Sequence, residues 1–172
     1  MSISQKISVI LNSPADWDEW IEIIKTQALA GKVWQHLDPS EDNVPALEEP
    51  VVPIPAQVNP AKTTVMELTP YEREQYKLLR QDYKWERIQY DKKDAALSAL
   101  RTAIQSSVSR SCLYYTFEAT NAREMLIELK KRLQPTDQLR ELSLSAKYQK
   151  LKKAPKVQDL ENWLKDWEKV YY

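Results

Sequence analysis

Apolar side chains recur at spacings of three and four along most of the chain and never alternate over a strand-length run, so the pattern predicts helices throughout. Ser13-Pro14 supplies a cap and a first-turn proline for a helix carrying Trp17, Trp20, Ile21, Ile24 and Ala28 on one face, with Gly31 expected to end it. Val33, Trp34 and Leu37 form a short apolar piece after it. Residues 39–62 then hold six prolines, at 39, 45, 50, 53, 55 and 60. Proline has no N–H and a fixed φ, so this stretch is neither a helix interior nor a central strand. It reads as a linker or an extended strap, and its length favours an interdomain or functional role over a tight turn.

Thr69-Pro70-Tyr71-Glu72 is a capping box with proline at the first helical position, which places the start of a long helix there. Two rows follow at seven-residue spacing, Tyr71, Leu78, Trp85 and Tyr76, Tyr83, Tyr90, with Leu79 between them. The expectation is that they lie on adjoining faces and merge into one broad aromatic stripe. Near Asp91 the pattern changes phase to the smaller Ala95, Ala96, Leu97, Leu100, Ile104 and Val108, which predicts a break or bend. Residues 109–119 read as a connection. Thr120 is expected to cap a helix with Ala122, Met125, Leu126, Leu129 and Leu133 inward, stopped by Pro135. Asp137 is expected to cap the next, in which Leu139, Leu142, Leu144, Tyr148 and Leu151 face partners before Pro155. The last helix carries Val157, Leu160, Trp163, Leu164, Trp167 and Tyr171 and meets the C-terminus without a stop signal, so the chain reads as truncated. The fold class that results is all-α, a multi-helix bundle with a proline-rich strap after the first helix. Its parts are an N-terminal Trp-containing helix (1–38), the strap (39–68) and two helical stretches (69–134 and 135–172).

Composition removes several kinds of chemistry. A single glycine, Gly31, among 172 residues leaves no P-loop or dinucleotide fingerprint, since both need several residues without Cβ where backbone N–H groups close on phosphate. One Cys and one His, Cys112 and His36, cannot build a zinc knuckle or a disulfide framework, so no metal or other cofactor is expected and a reducing compartment fits. His36 has no second His and reads as a packing or surface residue, and Cys112 as a small packing residue, with Arg110 nearby but no paired His. Asp16, Asp18, Glu19 and Glu22 sit in the first turns of a helix, where they complement its dipole. An enzyme is therefore not expected, nor a small-molecule substrate. The run Ile7 to Leu11 is too short for a secretory signal and no segment has the apolar length of a membrane span, which makes the cytoplasm the expected location and excludes a membrane partner.

Charge balances at 25 basic and 25 acidic side chains, yet residues 1–60 hold 3 basic against 9 acidic. The strongest basic concentration is Lys147, Lys150, Lys152, Lys153 and Lys156, near a helix C-terminus, where cations are favourable without any ligand. Weak, non-specific contact with RNA phosphates is the functional alternative for that cluster. Six Trp and nine Tyr could stack on bases, but their helical spacing favours core packing.

The ordered succession of segments resembles the Gag polyprotein of copia-type LTR retrotransposons, particularly fungal ones. The pieces are WDEWIEIIKTQALAGKVWQHLDPS, with Trp34 leading to Asp38-Pro39; the proline-rich gap; LTPYEREQYKLLRQDYKWERIQYDKKDAALSALRTAIQSSV; TNAREMLIELKKRLQPTD; and KYQKLKKAPKVQDLENWLKDWEKVYY. The resemblance covers nearly the whole chain and carries over Trp17, Trp20, Trp34, Trp85, Ala122, Arg123, Trp163 and Trp167 as structural positions. It implies a capsid-like protein, with 69–134 the helical core of an N-terminal capsid-like domain and 135–172 the start of a second, C-terminal one, that self-associates into virus-like particles enclosing element RNA. The chain departs from the family in lacking a Cys-x2-Cys-x4-His-x4-Cys knuckle and a protease Asp-Ser/Thr-Gly, so packaging and cleavage functions are not expected in this stretch. Helix faces left partly exposed would supply the contacts, with Trp163 and Trp167 on the last helix and Trp17 and Trp20 on the first as candidates for either interface or core. The rival reading is a monomeric or dimeric adaptor, or a domesticated Gag fragment that interferes with assembly.

Overall fold

The structure, a computed structural model, describes residues 9–153 and 159–171, with side chains of the last helix described through residue 168. Five α-helices follow in order, α1 (Trp17–Ala30), α2 (Pro70–Ser107), α3 (Ala122–Leu133), α4 (Asp137–Leu151) and α5 (Leu160–Tyr171). The fold is all-α, as the spacing of apolar residues predicts. Among the described residues, β pairing is confined to one isolated parallel bridge between Leu11 and Val108. There the Leu11 N–H donates to the Ser107 carbonyl at 2.8 Å and Ser109 N–H to Leu11 at 2.9 Å, tying the lead-in of α1 to the exit of α2.

The core forms where three amphipathic faces meet. Trp17, Trp20, Ile24 and Ala28 of α1 close against Leu100 and Ile104 of α2 and against Met125, Leu126, Leu129 and Leu133 of α3. Trp20 is fully buried, and its indole N–H donates to the Ser107 hydroxyl at 2.9 Å, satisfying the one polar atom that so large a side chain brings inside. Gly31 follows α1 with φ −78°, a conformation open to any residue, while Lys32 takes the left-handed φ of 56°. Glycine is needed for space: an added Cβ at Gly31 would lie 3.0 Å from the Ala96 Cβ, so the end of α1 sits close against α2 there.

Two caps sit one residue from their expected positions. Asn121 rather than Thr120 caps α3, its side chain accepting from the Glu124 N–H at 2.9 Å, while Thr120 donates its N–H and hydroxyl to the Glu124 carboxylate from outside. Thr136 caps α4 and Asp137 becomes its first residue.

α2 runs unbroken for 38 residues, about 57 Å at 1.5 Å per residue. The break expected near Asp91 does not occur, because the change from aromatic to small side chains records a change of neighbour rather than of backbone. The C-terminal half enters the core, while the N-terminal half is held by the strap. The merged stripe also does not form. Rows offset by five residues sit about 140° apart on a helix. Tyr76, Tyr83 and Tyr90 are half-buried, whereas Tyr71, Leu78 and Trp85 are exposed.

The strap docks on the helices. Tyr76 donates to the Pro53 carbonyl at 3.0 Å, Arg73 to Met66 at 2.8 Å, Arg123 to Glu41 at 2.6 Å, and Lys130 to Pro39 at 3.3 Å. Arg87 of α2 holds Glu49 in an ion pair and bonds Asp91 one turn on, with its guanidinium 5.3 Å from the Tyr90 ring. Pro53 and Leu68 are buried beneath this layer, apart from the main core.

α4 and α5 pack on each other as a hairpin. Trp167 meets Trp163 edge-on at 5.8 Å and Tyr148 at 5.6 Å, and the Trp163 indole N–H donates to the Leu151 carbonyl at 2.9 Å. Of the α4 residues expected to face partners, Leu151 is buried, while Leu139, Leu142, Leu144 and Tyr148 are exposed. Arg140 links the hairpin to α1 through two bonds to the Asp18 carboxylate, 2.7 and 3.1 Å. Pro155, Val157 and Lys156 lie outside the described residues, as does the side chain of Tyr171.

Candidate functional site

The six tryptophans fall into three environments. Trp17 and Trp20 are core, with rings 5.8 Å apart and no surface for a partner. Trp34, Trp163 and Trp167 are half-buried, Trp34 carrying the Lys25 ammonium 5.9 Å above its ring. Trp85 is 64% exposed, which the expectation of core packing did not anticipate. Helical period shows which residues share a face; it does not show whether another element covers that face.

Around Trp85 the N-terminal half of α2 carries an uncovered line of large side chains: Tyr71 and Leu78 on its own row, and Ile88 one turn on. Ile88 escaped the sequence reading because it belongs to neither seven-residue row. Beside this line the strap and α2 bound an open groove of about 510 Å³, walled by Leu47, Pro50, Val51, Trp85, Tyr90 and Lys93. A second groove of about 330 Å³ lies at the start of α3, between Val44, Leu47, His36 and Arg123. His36 serves the strap there. The Pro45 carbonyl can only accept, so Nδ1 carries the proton and donates to it at 2.7 Å.

Titrating groups with displaced pKa values have local causes on the surface. Backbone N–H donation from Thr69, helped by the Asn59 amide, holds Glu72 below its ordinary 4.5, and donation from Thr120 does the same for Glu124. Thr63 and Thr64 lower Glu67 in the same way. The Glu49 carboxylate raises Arg87, and Asp18 raises Arg140. These carboxylates cap helices or 3₁₀ turns and these arginines hold elements together. Cys112 is buried, its thiol directed at the Asn12 carbonyl 3.5 Å away. Among the described residues no group of three or more His, Cys, Asp or Glu side chains converges as a metal site, and no helix is long and apolar enough to cross a membrane.

Lys147, Lys150, Lys152 and Lys153 are all exposed at the end of α4, and none forms an ion pair with a described residue. Lys152 lies 4.6 Å from the Tyr148 ring. The arrangement therefore offers contact surfaces: an aromatic line on α2, an apolar hairpin and a cationic helix end. No protein-family model, no curated protein and no solved structure matches this chain.

Proposed function

We propose that the chain is a capsid-like structural module of the copia Gag type, which associates with copies of itself in the cytoplasm to form particles around element RNA. One observation carries the reading: the core closes without using Tyr71, Leu78, Trp85 and Ile88 of α2 or Leu139 and Leu142 of α4, which stay exposed at helical spacing on their own helices. Single exposed apolar residues are ordinary, but aligned ones mark contact sites. A shell needs several modest interfaces per subunit rather than one strong one, because closure of the lattice multiplies weak contacts. Two such faces on separate elements suit that requirement. The exposed lysines at the end of α4 would supply a weak, sequence-independent attraction for phosphates.

Sedimentation velocity and electron microscopy of the purified chain, with and without RNA and at two salt concentrations, test this. Particles or concentration-dependent oligomers, promoted by RNA at low salt, are the expected result. A chain that stays monomeric at high concentration in every condition overturns the proposal in favour of an adaptor. RNA affinity falling steeply with salt, without assembly, would make it a nucleic-acid chaperone instead.

A further inference from the structure

α2 carries a heptad that the fold leaves open. Counting from Tyr71 in steps of seven gives Tyr71, Leu78, Trp85 and Lys92; three residues further on, the same step gives Glu74, Gln81, Ile88 and Ala95. These are the two seam rows of a coiled coil. All eight residues are exposed. The strap leaves them exposed: the row it covers, Tyr76, Tyr83 and Tyr90, lies about 140° or more around the helix, and Trp85, which also walls the strap groove, is still 64% exposed.

Charge along the seam selects its occupant. Glu74 and Lys92 are 18 residues apart, five full turns, so they stand on one line about 27 Å from each other with the apolar residues between. Two parallel copies in register would place Lys92 against Lys92 and Glu74 against Glu74. Two antiparallel copies related by a two-fold axis place Glu74 of each against Lys92 of the other. The same operation stacks Leu78 on Ile88 and Trp85 on Gln81, each layer occurring twice. Lys92 has no ion pair with a described residue, and Glu74 holds only the exposed Lys77, so both are available.

We propose that residues 71–95 of α2 form an antiparallel two-fold seam with a second copy of this chain. The inference rests on the self-association reading and assigns that association a face and a direction. A seam about 36 Å long on one helix is a modest contact beside the roughly 2,000 Å² or more of a permanent complex, as a lattice needs.

The test is the dimer Kd of the full chain, measured by sedimentation equilibrium for four variants, with circular dichroism to confirm helix content. Lys92→Glu makes both charged layers wholly acidic and should weaken pairing about tenfold. Glu74→Lys should do the same. The double variant Glu74→Lys/Lys92→Glu should return to within about twofold of the native chain. Trp85→Ala removes the central aromatic from both copies and should weaken pairing at least about a hundredfold. If the native chain associates and these variants leave Kd unchanged, the seam is overturned and self-association stands on another face. If the single swaps weaken pairing and the double swap does not restore it, the antiparallel register is overturned. A native chain that never associates overturns both this seam and the reading beneath it.

Discussion

Removing the Ser107 hydroxyl is a small change with a large expected cost. Ser107 and Trp20 are 1% and 0% exposed, and the Trp20 indole N–H has the Ser107 oxygen as its acceptor at 2.9 Å. Ser107→Ala deletes one atom and leaves a buried donor without a partner. The penalty for an unsatisfied buried group is about 1–3 kcal/mol. Trp20→Phe acts differently. It takes away the donor together with part of a ring, and the Ser107 hydroxyl keeps its second partner, the Ile104 carbonyl at 3.2 Å. Its cost is mainly the cavity, roughly 2–4 kcal/mol by comparison with full truncation of a core aromatic. Once Trp20 is Phe, nothing is left unsatisfied by Ser107→Ala. The double variant should therefore be less destabilised than the sum of the singles by about 1 kcal/mol or more. Urea unfolding of dilute protein measures all three differences, and a loss of about 2 kcal/mol moves the midpoint by about 1 M. A Ser107→Ala cost below about 0.5 kcal/mol, or strict additivity in the cycle, would refute the claim that this bond satisfies the core's buried indole.

Three further outcomes follow from the same structure. Gly31→Ala should destabilise by about 1–3 kcal/mol through crowding against Ala96, and Ala96→Gly in the same chain should recover part of it, offset by about 1 kcal/mol for a glycine within a helix; thermal melts of the single and double variants show this. Glu67, Glu72 and Glu124 have folded pKa values below 4.5, so the unfolded chain binds more protons around and below that value. Their contribution is complete above about pH 5 and is lost as pH falls through the folded values, and changing all three to Gln should flatten the acid limb of a melting-temperature profile. Tyr76→Phe with Arg87→Ala removes two exposed or half-exposed strap contacts, which should speed hydrogen exchange in residues 47–54 while moving the core's urea midpoint by less than about 0.5 kcal/mol equivalent.

Much of the bundle is legible in the sequence because α1 and α3 bury one face each against the same centre, so the face that spacing assigns to Trp17, Trp20 and Ile24, and the one it assigns to Leu126, are the faces the core covers. The capping box Thr69–Glu72 is equally local and sits where it was expected. Errors arise where the outcome depends on a distant segment. Thr120 and Asn121 are both good caps, and the Glu124 carboxylate decides between them by bonding Thr120. The phase change at Asp91 reflects a handover from strap to core, which spacing registers without revealing its cause. Trp85 shows the same limit at the candidate site. Its row is visible in the sequence, but the strap's choice of the Tyr76 row, which leaves Trp85 outside, depends on where the strap's backbone runs.

That choice has an evolutionary corollary. Five of the strap's attachments are main-chain carbonyls, of Pro39, Glu41, Pro45, Pro53 and Met66, each receiving a hydrogen bond from Lys130, Arg123, His36, Tyr76 or Arg73 outside it. A proline offers an acceptor without a donor to satisfy in return, so a segment rich in it can be held from one side only. Exposed strap positions such as Met66 can then vary wherever the path is kept, while constraint falls on the five donors, on the Glu49–Arg87 pair and on the buried Pro53 and Leu68.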